Sequence, residues 1–119
     1  MRLHLIGLDI TLMLVEHGPW PVLALRVGDF AYVTDVKRIP PETESCLHGL
    51  KILILDAVRI RPHPNHFHFD EAVEWAHRLG AKQTYFTHLS HDYDHDETNR
   101  SLPPSIALGY DGLTLDISD

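Results

Sequence analysis

Apolar residues in this chain fall first into short runs divided by turn residues, and only later into a helical period. Leu3–Ile6 and Ile10–Val15 flank Gly7-Leu8-Asp9, which predicts an opening hairpin. The second run meets Glu16-His17-Gly18-Pro19, where Gly-Pro forces the chain away. Val22–Val27 and Phe30–Thr34, separated by Gly28-Asp29, predict two more strands, and their imperfect alternation predicts cover on both faces. Beyond Pro40-Pro41, Glu42–Gly49 reads as a short helix stopped by Gly49. Lys51–Asp56 is a continuous apolar run closed by an acid, the pattern of a buried central strand. Phe69–Leu79 is the clearest helix. Asp70 and Glu71 lie in its first turn, Ala72, Val73, Ala76 and Leu79 share a face, and Gly80 follows. Gln83–His91 predicts a strand running into a loop, and Asp111-Gly112 predicts a closing hairpin of Ile106–Tyr110 with Leu113–Ile117. Strands first, then β–helix–β–helix–β, make the chain α/β, with a mixed sheet and helices on one face.

Composition narrows the class. A chain of 119 residues, 44% hydrophobic and 23% charged, is one soluble globular domain able to bury a core. A formal net charge of -7 excludes a general binder of nucleic acid or anionic membrane. It leaves room for a small phosphate ester held by a metal, because the ion supplies the local positive charge. Arg2, His4 and Asp9 interrupt the amino terminus, which reads as neither a signal peptide nor a membrane span. A lone Cys46 excludes an intrachain disulfide and makes the cytoplasm the expected compartment. It has no partner motif, and no Ser sits in a nucleophile elbow, which argues against redox or nucleophilic catalysis.

The ten histidines change the picture. Three predicted strands end in a possible ligand, His17, Asp35 and His88, and a fourth ends in Asp56. The loop from His63 to His68 can reach the same rim. Imidazole nitrogen and carboxylate oxygen both suit zinc and similar divalent ions. A shared carboxylate flanked by imidazoles is the usual equipment for holding two ions about 3.5–4 Å apart. Each residue also has a bland reading. His88 could be a hydrogen-bonded core histidine, Asp35 and His17 turn residues, and His66 a solvated loop residue. Asp56 and His91 are expected to orient ligands, against a strand-end cap and a surface histidine. Trp20 and Trp75 read as packing residues, and Asp92–Glu97 as a solvated acidic loop.

Glu16-His17-Gly18, Phe30-Ala31-Tyr32-Val33-Thr34-Asp35, His63-Pro64-Asn65-His66, Thr87-His88-Leu89-Ser90-His91 and Tyr110-Asp111-Gly112, in that order, resemble the metallo-β-lactamase-fold hydrolases. Among these the run is most similar to the branch of the cyclic-phosphate phosphodiesterase of phosphonate breakdown. The resemblance implies a metal-dependent hydrolase in which a metal-bridged hydroxide attacks phosphorus. It implies His17 as a ligand of the first ion, Asp35 as the bridging carboxylate and His88 as a ligand of the second. It implies His66 as the catalytic residue that assists the leaving group or binds the phosphate. The cofactor implied is a pair of divalent ions, with zinc expected and manganese or iron as alternatives.

The same resemblance makes this chain the C-terminal βα half of an αββα sandwich, without the half that carries His-x-His-x-Asp-His. The look-alike His66-Phe67-His68-Phe69-Asp70-Glu71 ends in Glu and follows the other motifs, so it is expected to be coincidental. One terminal His per metal and one shared Asp fall short of the three or four protein ligands zinc usually takes. The inner face of the sheet, which would normally meet the absent half, exposes apolar residues, so self-association or pairing with that half is expected, with a small phosphate ester as substrate of the complete site. The alternative is a non-catalytic metal-binding or interaction module, in which His17, Asp35 and His88 form a two-His-one-carboxylate set on one ion.

Overall fold

The computed structural model describes residues 2–5, 8–90, 93–110 and 112–115. Its elements are β1 (Arg2–Leu5), β2 (Leu8–His17), β3 (Trp20–Val27), β4 (Phe30–Val33), α1 (Pro41–Glu44), β5 (Ile52–Asp56), α2 (Phe69–Leu79), β6 (Gln83–Thr87), α3 (His95–Ser101) and β7 (Ile106–Leu108). Among the described residues the strands form one seven-stranded sheet in chain order. β1 to β4 pair antiparallel, as tight turns allow, and β4 to β7 pair parallel, as helical crossovers require. Each crossover steps the same way along the sheet, so a common right hand puts the helices on one face. The mixed α/β architecture follows the sequence expectation.

The core lies between that face and the helices. Met13, Val15, Ala31, Val33, Leu53, Leu55, Phe86 and Leu108 point into it at period two, and Ala72, Ala76 and Leu79 of α2 meet them. Phe67 and Phe86 are fully buried, each contributing about 1.5–3 kcal/mol of burial. α2 begins where the Glu71 carboxylate accepts from the His68 backbone N–H at 3.4 Å and meets His68 Nδ1 at 2.8 Å. It ends at Gly80 in the left-handed conformation.

The opposite face exposes apolar residues, as expected of the chain on its own, although the strand pattern fits cover on both faces. On strands β2 to β4, Leu14 is 56% exposed, Leu23 61% and Tyr32 41%. Register joins these residues into a row, through Leu14↔Leu23, Leu25↔Tyr32, Tyr32↔Ile54 and Ile54↔Tyr85. The apolar pattern on both sides of the strands is real; the second layer does not come from the described residues.

Other boundaries also shift. The helix expected over Glu42–Gly49 is a single turn, Pro41–Glu44, with Pro at its start; Gly49 lies in a later turn at φ 73°. Among the described residues the closing hairpin is not formed. Residues 113–115 carry no strand and 116–117 lie outside the described residues, while β7 pairs parallel with β6. The Gly109 N–H goes to Phe86 O at 2.8 Å, and the outward Leu108 N–H is taken by Asn99 Oδ1 of α3 at 2.8 Å. A hairpin partner would have to compete with that amide. Of the acidic segment expected to be loop, His95–Glu97 instead open α3, capped by Asp94, whose Oδ1 accepts from the Glu97 N–H at 3.0 Å, and Asp92 lies outside the described residues. Asp94-His95-Asp96-Glu97 has capping-box spacing, a signal the sequence did carry. Among the described residues no helix is long and apolar enough to cross a membrane.

Candidate metal centre at the carboxyl edge of the sheet

β4, β5 and β6 are parallel, and two antiparallel steps make β2 parallel to β4, so all four strands finish at one edge. That edge gathers His17, Asp35, Asp56 and His88, the convergence by which α/β sheets build sites.

Left-handed backbone at Asp35, φ 58°, turns the chain from β4 toward the end of β2. There Glu16 and Arg38 pair across the strands. The turn points the Val36 N–H at Asp56 Oδ2, 3.0 Å away, and lets Val36 O accept from the Phe67 N–H at 2.7 Å. Burial of the Phe67 ring then fixes His66 beside Asp56. His88 follows β6 directly and is also left-handed, φ 63°. Non-glycine residues in this region are strained and cluster at functional sites.

Asp35, Asp56, His66 and His88 each offer one ligand atom, and the four atoms lie within 4.8 Å of one another. His88 Nδ1 stands 2.9 Å from Asp35 Oδ1 and 4.0 Å from Asp56 Oδ1. Asp56 is completely buried. Burial pushes its carboxyl above the ordinary value, and hydrogen bonds from His66 and the Val36 N–H only partly offset this. Its Oδ2 accepts from His66 Nδ1–H at 2.6 Å. Its Oδ1 is, among the described residues, a buried side-chain oxygen with no hydrogen-bond partner. A cation beside Asp56 Oδ1 would satisfy that oxygen and offset the buried charge, and the His88 imidazole with the Asp35 and Asp56 carboxylates forms a donor set that divalent zinc, manganese or iron accepts. The residues fit a metal.

The expected site residues fall into place unequally. Asp35 and His88 join the cluster. Asp56, expected to orient a ligand, is its most buried member, and it also holds His66. His66 belongs to the cluster, and its Nε2 faces His17 Nε2 at 2.9 Å. His17 therefore abuts the four-residue group through His66. His91 lies outside the described residues. His68 and Glu71 are occupied in capping α2, and Glu71 also pairs with Lys37 at 2.7 Å, so the His66–Glu71 look-alike places only His66 at the edge. His63, not singled out from the sequence, packs edge-on against His66 with ring centroids 5.0 Å apart. Burial and the nearby Arg59 guanidinium hold its imidazole below the ordinary value. Trp20, expected to pack, is 67% exposed and sits opposite His17 across the β2–β3 turn. Trp75 does pack, stacked on Phe67. Beside His88 a cleft of about 520 Å³ opens on the uncovered face, walled by Phe30, Tyr32, Ile54, Tyr85 and Tyr110.

Known proteins share this fold. The family model described as beta-lactamase superfamily domain matches residues 1–89. The crystal structure of a diphosphatase from the PhnP family is similar over 98% of this chain and 46% of its own, at 45% identity and a TM-score of 0.96. The metallo-beta-lactamase fold protein YhfI from Bacillus subtilis matches 95% of this chain and 51% of its own, at 21% identity and a TM-score of 0.76, a likeness of fold. An octanoyltransferase of Porphyromonas gingivalis is 33% identical over 115 residues, which are 95% of this chain and 23% of that protein. The chain spans about half of these structures' length, and less of the octanoyltransferase.

Proposed function

Because the chain belongs to the beta-lactamase superfamily, we propose that it contributes half of the active centre of a metal-dependent hydrolase that cleaves phosphodiester, cyclic-phosphate or diphosphate bonds. The observation that carries this reading is the convergence of Asp35, Asp56, His66 and His88 around the unpartnered Asp56 Oδ1. The 45% identity to a PhnP-family diphosphatase supports the substrate class.

Asp35, Asp56 and His88 would hold the metal, with His17 and His66 beside them. When bound, a divalent ion supplies Lewis-acid stabilisation of charge developing on phosphoryl oxygens and activates water. The protein's own part is proton handling. By accepting from Nδ1–H, Asp56 fixes the tautomer of His66 and leaves Nε2 as the nitrogen that can exchange a proton with a leaving oxygen. The carboxylate also stabilises the imidazolium formed when Nε2 is protonated. His17 Nε2, 2.9 Å opposite, would donate to that nitrogen until a leaving oxygen takes its place.

The uncovered apolar row and the short donor set support a partner. A second β-sheet layer, from another copy or from a chain corresponding to the remainder of the PhnP-family structure, would cover Leu14, Leu23 and Tyr32 and bring further ligands. The lone Cys46 supports a cytoplasmic setting.

Metal per chain, measured by elemental mass spectrometry after dialysis against metal-free buffer, tests this together with hydrolysis of bis(p-nitrophenyl) phosphate. Bound metal with turnover, both lost in Asp35→Ala, is expected. Bound metal at one ion per chain without turnover, even after co-expression with the partner layer, would favour a non-catalytic metal module. The 4.8 Å span of the cluster, small enough for a single ion, is what favours that second reading.

A further inference from the structure

We propose that Asn65 and Gly18 form a steric latch that sets the His17–His66 pair, making Asn65 a positioning residue of the metal centre. The proposal rests on reading this edge as a metal centre, but its geometry can be tested without metal.

Gly18 occupies the turn between β2 and β3 at φ 58°. A Cβ placed there would lie 2.1 Å from Asn65 Oδ1 and 2.8 Å from its Cγ. The amide of Asn65 therefore fills the volume that any other residue at position 18 would need. Gly49 and Gly112 are also left-handed, but a Cβ on either would meet nothing within 4 Å. Backbone conformation accounts for those two; Gly18 answers to a neighbour as well.

The backbone that carries this amide is firmly held. The Asn65 N–H donates to His63 Nδ1 at 3.0 Å, His66 is tied to Asp56 at 2.6 Å, and the Phe67 N–H is tied to Val36 O at 2.7 Å. The backbone of residues 63–67 is fixed, so a Cβ at position 18 must either turn the Asn65 amide aside or displace the β2–β3 turn. His17 precedes Gly18 and His66 follows Asn65. The contact between glycine and amide thus sets the 2.9 Å approach of the two Nε2 atoms. Asn65 Cβ would stand 3.5 Å from a Cβ at position 18, an ordinary contact, so truncation at Asn65 frees the space.

The test compares Gly18→Ala, Asn65→Ala, the double variant and Gly49→Ala in the 119-residue chain. One readout is the nuclear Overhauser contact between the His17 and His66 rings without metal; the other is the zinc dissociation constant. Gly18→Ala is expected to lose the ring contact and weaken zinc about tenfold or more, as disturbed ligand support does. Asn65→Ala alone is expected to weaken zinc less. The double variant should return to the Asn65→Ala level, because the clash is gone while the backbone strain remains. Gly49→Ala should lose thermal stability through its positive φ and leave the ring contact intact. A double variant no better than Gly18→Ala, or a Gly18→Ala chain with both readouts unchanged, overturns the latch. If Gly18→Ala does not fold, recovery of folding in the double variant supports the latch and failure to recover overturns it. A parent chain that binds no zinc yet follows this pattern of ring contacts would sink the metal reading and leave the latch standing.

Discussion

His88 Nδ1 lies 2.9 Å from Asp35 Oδ1, and both residues hold a left-handed backbone that side chains ordinarily avoid. The strain at His88 should be measurable by comparing His88→Ala with His88→Gly. Both remove the imidazole, but only glycine relieves the backbone, worth about 1–2 kcal/mol per residue. After allowing for the greater freedom of glycine in the unfolded chain, His88→Gly should be the more stable by about 0.5–1 kcal/mol. Urea denaturation of the metal-free variants reads this difference. Equal midpoints would mean that the strain is absent in solution.

Asp56→Asn should separate stability from metal binding. Burial raises the Asp56 carboxyl above its ordinary value, so its ionised form opposes folding when no cation is near. A group raised in the folded state contributes most when protonated. Its contribution declines as pH climbs from the unfolded-state value to the folded one. The metal-free Asn variant should therefore melt no lower than the parent at pH 7 and show a flatter pH profile from pH 4 upward. Its zinc affinity should fall about tenfold or more, since the amide neither carries charge nor fixes the His66 tautomer as the carboxylate does. A variant that melts lower and keeps its zinc would reverse the assignment.

Glu71 predicts the opposite pH trend. Burial alone would raise its carboxyl, but hydrogen bonds from Lys37 and His68 outweigh this and hold it below the ordinary 4.5. A depressed acid contributes stability above its unfolded value and loses it as pH falls through the folded one. Glu71→Gln should melt lower than the parent at pH 7, and the two melting curves should converge below pH 4. Parallel curves across that range would show that the Lys37 and His68 contacts contribute nothing.

The uncovered sheet face should make the isolated chain associate. Leu23 and Tyr32 are exposed and lie in the apolar row, so replacing both by Lys removes attraction without touching the core. Sedimentation velocity at micromolar concentration should show oligomers for the parent and monomer for Leu23→Lys/Tyr32→Lys. A monomeric parent would mean that the face is tolerated in water and needs no second layer.

Much of the edge was legible because its residues stand where strands stop. An apolar run that ends in His17, Asp35, Asp56 or His88 marks both the element and the polar side chain it delivers to the edge, and the parallel order of β4, β5 and β6 brings those ends together. The roles were harder to read. Asp56 ends its strand much as Asp35 does, yet only depth of burial and the approach of His66 separate a central carboxylate from a rim one. The hairpin expected after Ile106 rests on turn propensity at Asp111-Gly112, which is local, whereas among the described residues the Leu108 N–H is taken by Asn99 from a different element. α3 was overlooked because its acids look solvated. They are, and they also cap and open a helix.

By itself, the sequence determined the local terms: strand runs of period two, the amphipathic α2, the turns at glycine, and the supply of imidazoles and carboxylates. These depend on neighbours within a few residues, where side-chain direction and backbone propensity act. Only the tertiary structure decided that His66 and Asp56, ten residues apart, are hydrogen-bonded, that Asn65 rests on Gly18, and that one apolar face of the sheet is uncovered. Those outcomes depend on which distant segments exclude one another from the same space, and on which buried oxygens find a partner. Neither can be read from spacing along the chain.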